Sequence, residues 1–294
     1  MRLHHRKRPG FTLIELLAVI AIVTLLAALT AAGIQRVRSG QMARNTEGTV
    51  TKLQLALDQQ WQATVAMARD RKSIPAQVLT ACNNDVDLAA AAWAYMQTRR
   101  EFPNTFTEAT TPVSGPGGYS LPARTTFSSC NPPATSLTDK EQAAALLYLI
   151  LSEKGTGGAS FNADEATRGA QQTINDTTTS RSFRVFVDAW GTPITFIRYA
   201  SGGLNGSELN SAPFVNPAVS LQDPLDPRGK LQNWSGNSAL SGVFGSFPGG
   251  ATAFNGKNRQ PAVISAGANK DFEGMFDMDN VVGYRLRRQG DRGD

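Results

Sequence analysis

A run of 24 residues from Phe11 to Ile34 carries one charged side chain, Glu15, and is otherwise apolar or small. As a helix rising about 1.5 Å per residue it spans roughly 36 Å, enough for a hydrocarbon core of about 30 Å. Ahead of it stand Arg2, Arg6, Lys7 and Arg8, with His4 and His5 and no acid. Such a block stays on the cytoplasmic side of a membrane. The pattern predicts a single-pass chain whose residues 35–294 lie on the extracytoplasmic side.

The position of Gly10 bears on processing. An ordinary secretory signal is cut after its apolar stretch, at small residues, whereas here the glycine stands before it. Cleavage after Gly10 would leave the whole apolar helix on the mature chain, with Phe11 as its first residue. Glu15 then needs a partner, because a carboxylate in a bilayer helix costs on the order of 3 kcal/mol. The α-ammonium that cleavage creates on Phe11 of a neighbouring chain is a cation at the same depth.

Gly10-Phe11-Thr12-Leu13-Ile14-Glu15 behind a basic leader resembles the class III signal of type IV pilins and type II secretion pseudopilins. The resemblance implies that a prepilin peptidase cuts after Gly10 and N-methylates Phe11, and that Glu15 serves assembly. It further implies a structural subunit of a secretion or pilus-like filament, held in the inner membrane with its head in the periplasm. Its partners would be like subunits and other secretion or pilus components. The alternative is a minor, tip-located pilin that binds a surface, a secreted cargo or DNA.

Charge and histidine usage narrow the chemistry. There are 29 Lys and Arg against 24 Asp and Glu, a net of +5, and removing the four leader cations leaves 25 against 24, or +1. Nucleic acid is therefore not an expected partner. Arg285, Arg287, Arg288 and Arg292 read as a solvated tail. Both histidines lie in the leader, so the mature chain has no imidazole for a Ser-His-Asp or Cys-His site or a His-ligated metal. No convincing acid pair replaces them, and no enzymatic activity is expected.

Cys82 and Cys130 form an even pair on the side where disulfides persist, and a bridge between them is the expectation, two free buried thiols the alternative. A bridge would close a loop of 49 residues and stabilise by about 4 kcal/mol in the chain-entropy description.

Past Ile34, Val50, Leu53, Leu57, Trp61 and Val65 recur at helical spacing, which predicts an amphipathic second half of the same helix with this stripe as the floor of the head. Gly33, Gly40 and Gly48 each weaken it by about 1 kcal/mol relative to Ala, so bending or local melting is expected there. Pro75 closes the helical region. Asp85–Arg100 reads as a helix, and Thr138-Asp139-Lys140-Glu141 is a capping box ahead of another over Ala143–Leu151. Residues 102–133 read as a looser stretch, Gly155–Ser182 as a linker, and Gly202–Gln260 as a long loop with scattered aromatics. Phe183–Val187 and Ile194–Tyr199 predict a hairpin, and Pro261–Gly267 and Val281–Leu286 two further strands.

Asp188-Ala189-Trp190-Gly191-Thr192-Pro193 resembles the D-x-W-G-x-P turn of major pseudopilins, and Ile264–Asp271 is similar to their S-x-G-x-D-G-x loop, with Lys270 departing from it. Residues 83–180 and 202–260 match neither block and read as insertions. Asp271, Glu273, Asp277 and Asp279 fall within nine residues, and oxygen-only donors of this kind suit Ca²⁺. The spacing is not that of an EF-hand, and a solvated acidic loop is the competing reading. The resemblance implies a calcium loop and sets that reading level with the solvated one, with Asp279 the foremost ligand. The expected fold class is α+β: a long N-terminal helix packed on a small antiparallel C-terminal sheet, with an inserted helical region. The expected division is a leader at 1–10, an assembly helix at 11–34 and a head at 35–294.

Overall fold

A computed structural model of the protein describes residues 13–152, 170–199, 225–231, 260–272 and 280–283. The chain divides into two compact units, residues 1–44 and 45–294. It is α+β, as expected.

Helix α1, Leu13–Arg69, contributes to both units. It stays helical through Gly33, Gly40 and Gly48, so the chain does not melt locally at these glycines. Within the second unit Val50, Leu53, Leu57, Trp61 and Val65 are all buried, which is the predicted stripe. The helix ends at Arg69, and Asp70 turns extended to cap the short 3₁₀ turn Arg71–Ser73 by accepting from the Lys72 amide. Pro75 then serves as N-cap of α2, Ala76–Ala81.

Helix α3, Val86–Glu101, starts where the Asp85 carboxylate accepts from the Asp87 and Leu88 amides, at 3.0 and 3.2 Å. This satisfies two of the donors every helix start leaves open. The stretch predicted as loose holds α4, Phe106–Thr110, and the small ladder of β1, Val113–Ser114, with β2, Ser120–Leu121. It ends in the 3₁₀ turn Thr125–Cys130. Helix α5, Asp139–Ser152, opens with the predicted capping box: Thr138 N donates to Glu141 Oε2 at 2.8 Å, and Glu141 N to Thr138 Oγ1 at 3.4 Å.

Two corrections concern the sheets. The stretch read as a linker contains β3, Gln171–Asp176, which pairs antiparallel with β4, Arg181–Phe186, through a turn at 177–180. Strand β4 therefore ladders with β3, not with β5, Thr195–Ile197, as the hairpin reading required. A remnant of that hairpin survives as the Val187–Pro193 bridge and the 2.8 Å bond from Ile194 N to Phe186 O. The second sheet is antiparallel, with β6, Ala262–Ser265, between β5 and β7, Val281–Val282.

One large core joins α1, α2 to α5, β4 and β5, with Phe102, Phe106, Phe127, Phe186 and Phe196 deep inside. The described part of residues 83–180, read from sequence as an insertion, thus shares its interior with α1 and the sheet instead of packing by itself. Strand β6 alternates: Val263 joins this core, while Ala262 and Ile264 join Val282 in a smaller cluster on the other face.

Candidate functional site

The functional segment singled out by sequence is the start of α1. Gly10 and Phe11 lie outside the described residues. Glu15 stands near the start of the described part of α1. Leu13–Thr30 has a mean hydropathy of 2.6 and none of it is buried. Its hydroxyls are satisfied within the helix: Thr24 donates to Ala21 O, and Thr30 to Leu26 O and Ala27 O, each at 2.9 Å. A helix whose polar groups are internally bonded and whose side chains are apolar is suited to lipid or to the apolar faces of other copies.

In the head, the two blocks that resemble pseudopilin motifs meet. The Asp188 carboxylate accepts from Trp190 N and Thr192 N through Oδ1, at 2.9 and 2.8 Å, and from Ser265 Oγ through Oδ2, at 2.8 Å. Ser265 Oγ in turn accepts from Gly267 N at 3.1 Å. Gly191 and Gly267, at φ 81° and 71°, are the left-handed residues that the two turns require. Ala189 N donates to Thr46 Oγ1 of α1 at 3.1 Å, so the junction is pinned to the helix. These bonds tie the two turns to each other and to α1, which makes the junction a structural knot.

A second tie was not found from sequence. Gln54 of α1 accepts from Val263 N at 2.8 Å and donates to Pro261 O and Asp58 Oδ1, each at 2.9 Å. Gly283 passes so close that a Cβ there would sit 2.6 Å from Gln54 Oε1. A glutamine on an apolar helical stripe was the available signal, since a buried amide demands partners.

The acidic loop is described only at its start. Asp271 is exposed, with its amide donating to Asn269 Oδ1 at 3.0 Å. Glu273, Asp277 and Asp279 lie outside the described residues, as do Arg285, Arg287, Arg288 and Arg292. Among the described residues no group of three or more metal-ligating side chains occurs.

The expected disulfide is corrected. Cys82 and Cys130 are separate, buried, free thiols. Cys82 closes α2, its amide donating to Val78 O, whereas Cys130 ends the 3₁₀ turn that follows α4. They close different elements. Burial, with the Asp85 charge beside it, pushes the Cys82 thiol up to about 11, and burial pushes Cys130 up to about 11 against the opposing pull of Ser129 and Arg181. Thiols so raised are poor nucleophiles at neutral pH.

Other buried charges are structural. Arg198 donates through Nη1 and Nη2 to the two oxygens of Glu108, at 2.9 and 3.1 Å, and through Nη1 to Phe102 O at 3.0 Å. Asp176 accepts from Ser136 N and Oγ, Thr178 N, Thr179 Oγ1 and Arg181 Nη2. Burial alone would raise this carboxyl, but those donors hold it well below the usual carboxylate range.

Residues 5–31 match the family model of the prokaryotic N-terminal methylation motif. The chain thus carries a class III prepilin signal over its leader and the start of α1, consistent with a type IV pilin-like or pseudopilin protein. That signal implies processing by a prepilin peptidase and assembly with pilin-like subunits. Comparison with curated proteins and with solved structures finds no match.

Proposed function

We propose that the protein is a structural subunit of a filament of the type II secretion or type IV pilus kind, inserted in the inner membrane and assembled through its N-terminal helix. The observation that carries this reading is the methylation motif at residues 5–31 running into an apolar helix with no buried side chain over Leu13–Thr30. Its role is mechanical, not catalytic. Subunits leave the bilayer as Glu15 of one meets the Phe11 ammonium of the next, a charge that methylation preserves. Intact-mass analysis of membrane-extracted protein should show loss of residues 1–10 and gain of one methyl group. A species still beginning at Met1, or cut after Ile34, would overturn the reading.

A second reading, a minor tip subunit that binds a surface or cargo, is favoured by the helical insertion built into the head core. Quantifying the subunit in sheared filaments separates the two, since a major subunit greatly outnumbers a tip subunit.

The 271–279 loop is proposed to take Ca²⁺. Clustered carboxylates repel until a hard cation turns repulsion into attraction, and a ligand of the folded state stabilises by mass action. Melting should rise in millimolar Ca²⁺ over chelator, and Asp279→Ala should remove most of the difference. Equal melting temperatures would return the loop to the solvated reading.

A further inference from the structure

We propose that one subunit meets the next through opposite charges at the two ends of the head: Arg69, Arg71 and Lys72 of one copy receive the acidic connection between β6 and β7 of another. This rests on the filament reading above and names a contact within it.

The basic end is where α1 stops. Arg69, Arg71 and Lys72 are exposed, and none of the three makes an ion pair among the described residues. The acid among them, Asp70, accepts from the Lys72 amide at 3.0 Å. Residues 69–72 thus carry three cations and one anion, net +2. Asp87, which shares a pocket with Arg69, is already matched by Arg228. Cations left without a local acid are open to an anionic partner from outside.

The acidic end lies back along the helix. Strand β6 runs against α1: Val263 N donates to Gln54, whereas Ser265 is bonded to Asp188, whose neighbour Ala189 is bonded to Thr46. Ser265 pairs with Val281 across the sheet, so the connection between them leaves at the Thr46 end. From Thr46 to Arg69 is 23 residues, roughly 35 Å as a helix. Residues 266–280 hold Asp271, Glu273, Asp277 and Asp279 against Lys270, net −3, and still −1 with one Ca²⁺ among them. Asp139, exposed at the start of α5, adds to this end. Its neighbour Lys140 places it there, with the carbonyl accepting from Thr195 Oγ1 and the ammonium 5.0 Å from the Phe272 ring centroid.

Opposite charges so far apart cannot pair within one copy, but they can between copies stacked in one direction. Such a contact joins two different patches and leaves a free patch at each end, the heterologous geometry that builds open filaments. Exposed pairs add little affinity each and act mainly on orientation and register.

The test compares full-length chains in cells, reading subunit in sheared filaments relative to subunit held in the membrane. Arg71→Glu/Lys72→Glu should lower this ratio at least about twofold, the low end of what two exposed pairs supply, and so should Glu273→Lys/Asp277→Lys. All four substitutions together should restore it. Loss of Ca²⁺ from the acidic loop cannot be repaired from the basic end, so the rescue is specific to the contact. Either pair of substitutions assembling like the parent, or the four together assembling no better than each pair, would overturn the proposal. A wild-type chain that forms no filament would overturn the filament reading itself, and this contact with it.

Discussion

Arg198, 3% exposed, is a cation that the core of the head cannot leave alone. Its pairing with Glu108 fixes the residue after β5 to α4, and Arg99 adds a further contact to the same carboxylate at 3.5 Å. Burial by itself would raise the Glu108 carboxyl, but the Arg198 charge and hydrogen bonds outweigh it and hold it below its ordinary range. In the unfolded chain that carboxyl binds a proton at higher pH than in the folded one. The stabilisation from the pair is therefore fully present above the ordinary carboxylate range and is lost as pH falls through it toward the depressed native value. Replacing Arg198 with Met leaves the acid without its main partner and should cost about 3 kcal/mol at neutral pH, read by denaturant unfolding. Glu108→Gln should flatten the acid limb of the stability profile. An unchanged acid limb would show that other carboxylates set it.

Among the elements, those with local signals were legible and those held by distant partners were not. Helix α3 announces itself by Asp85, α5 by Thr138 and Glu141, and the head half of α1 by its stripe, because caps and 3.6-residue periodicity are written in neighbouring residues. Strand β3 has no such signature. Gln171-Gln172-Thr173-Ile174-Asn175-Asp176 is polar on most positions, and it is a strand because Asp176 gathers the turn and the 136 region around itself while β4 supplies the ladder. The β4–β5 pairing misled for a related reason: the Asp188 turn reads as a hairpin, but its carboxylate spends one oxygen on Ser265 and ties the chain to β6. Cysteine parity suggested a bridge, while the two thiols sit at the ends of different elements. Gln54 is the element-scale counterpart of these long-range ties. Gln54→Leu should keep the volume of the stripe yet leave Val263 N and Pro261 O unpartnered, at a cost of about 1–3 kcal/mol in unfolding experiments and with faster exchange of the Val263 amide. A variant as stable as the parent would show that β6 is held by its neighbouring strands alone.

The whole chain is written for two solvents. Of fifteen large hydrophobic side chains exposed among the described residues, thirteen lie before Arg44, whereas the apolar groups of the second unit are gathered into its core. Such a first unit is suited to lipid or to the apolar faces of other copies of itself. Hydrophobicity cannot choose between those two environments, since acyl chains are as apolar as leucine. Glu15 is the group that can choose. In lipid it carries an insertion cost on the order of 3 kcal/mol, and in a filament that cost is relieved if a neighbour's Phe11 ammonium lies beside it. Glu15→Val should therefore fractionate with membranes at least as completely as the parent, while its incorporation into sheared filaments falls severely. Gly10→Leu provides the companion case, since an uncut leader removes the free ammonium while Glu15 remains. The two variants should fail at the same step, with both heads folded and both chains in the membrane. Filaments formed normally by the Glu15→Val protein would mean that apolar packing of residues 11–34 is sufficient, and would remove Glu15 from assembly.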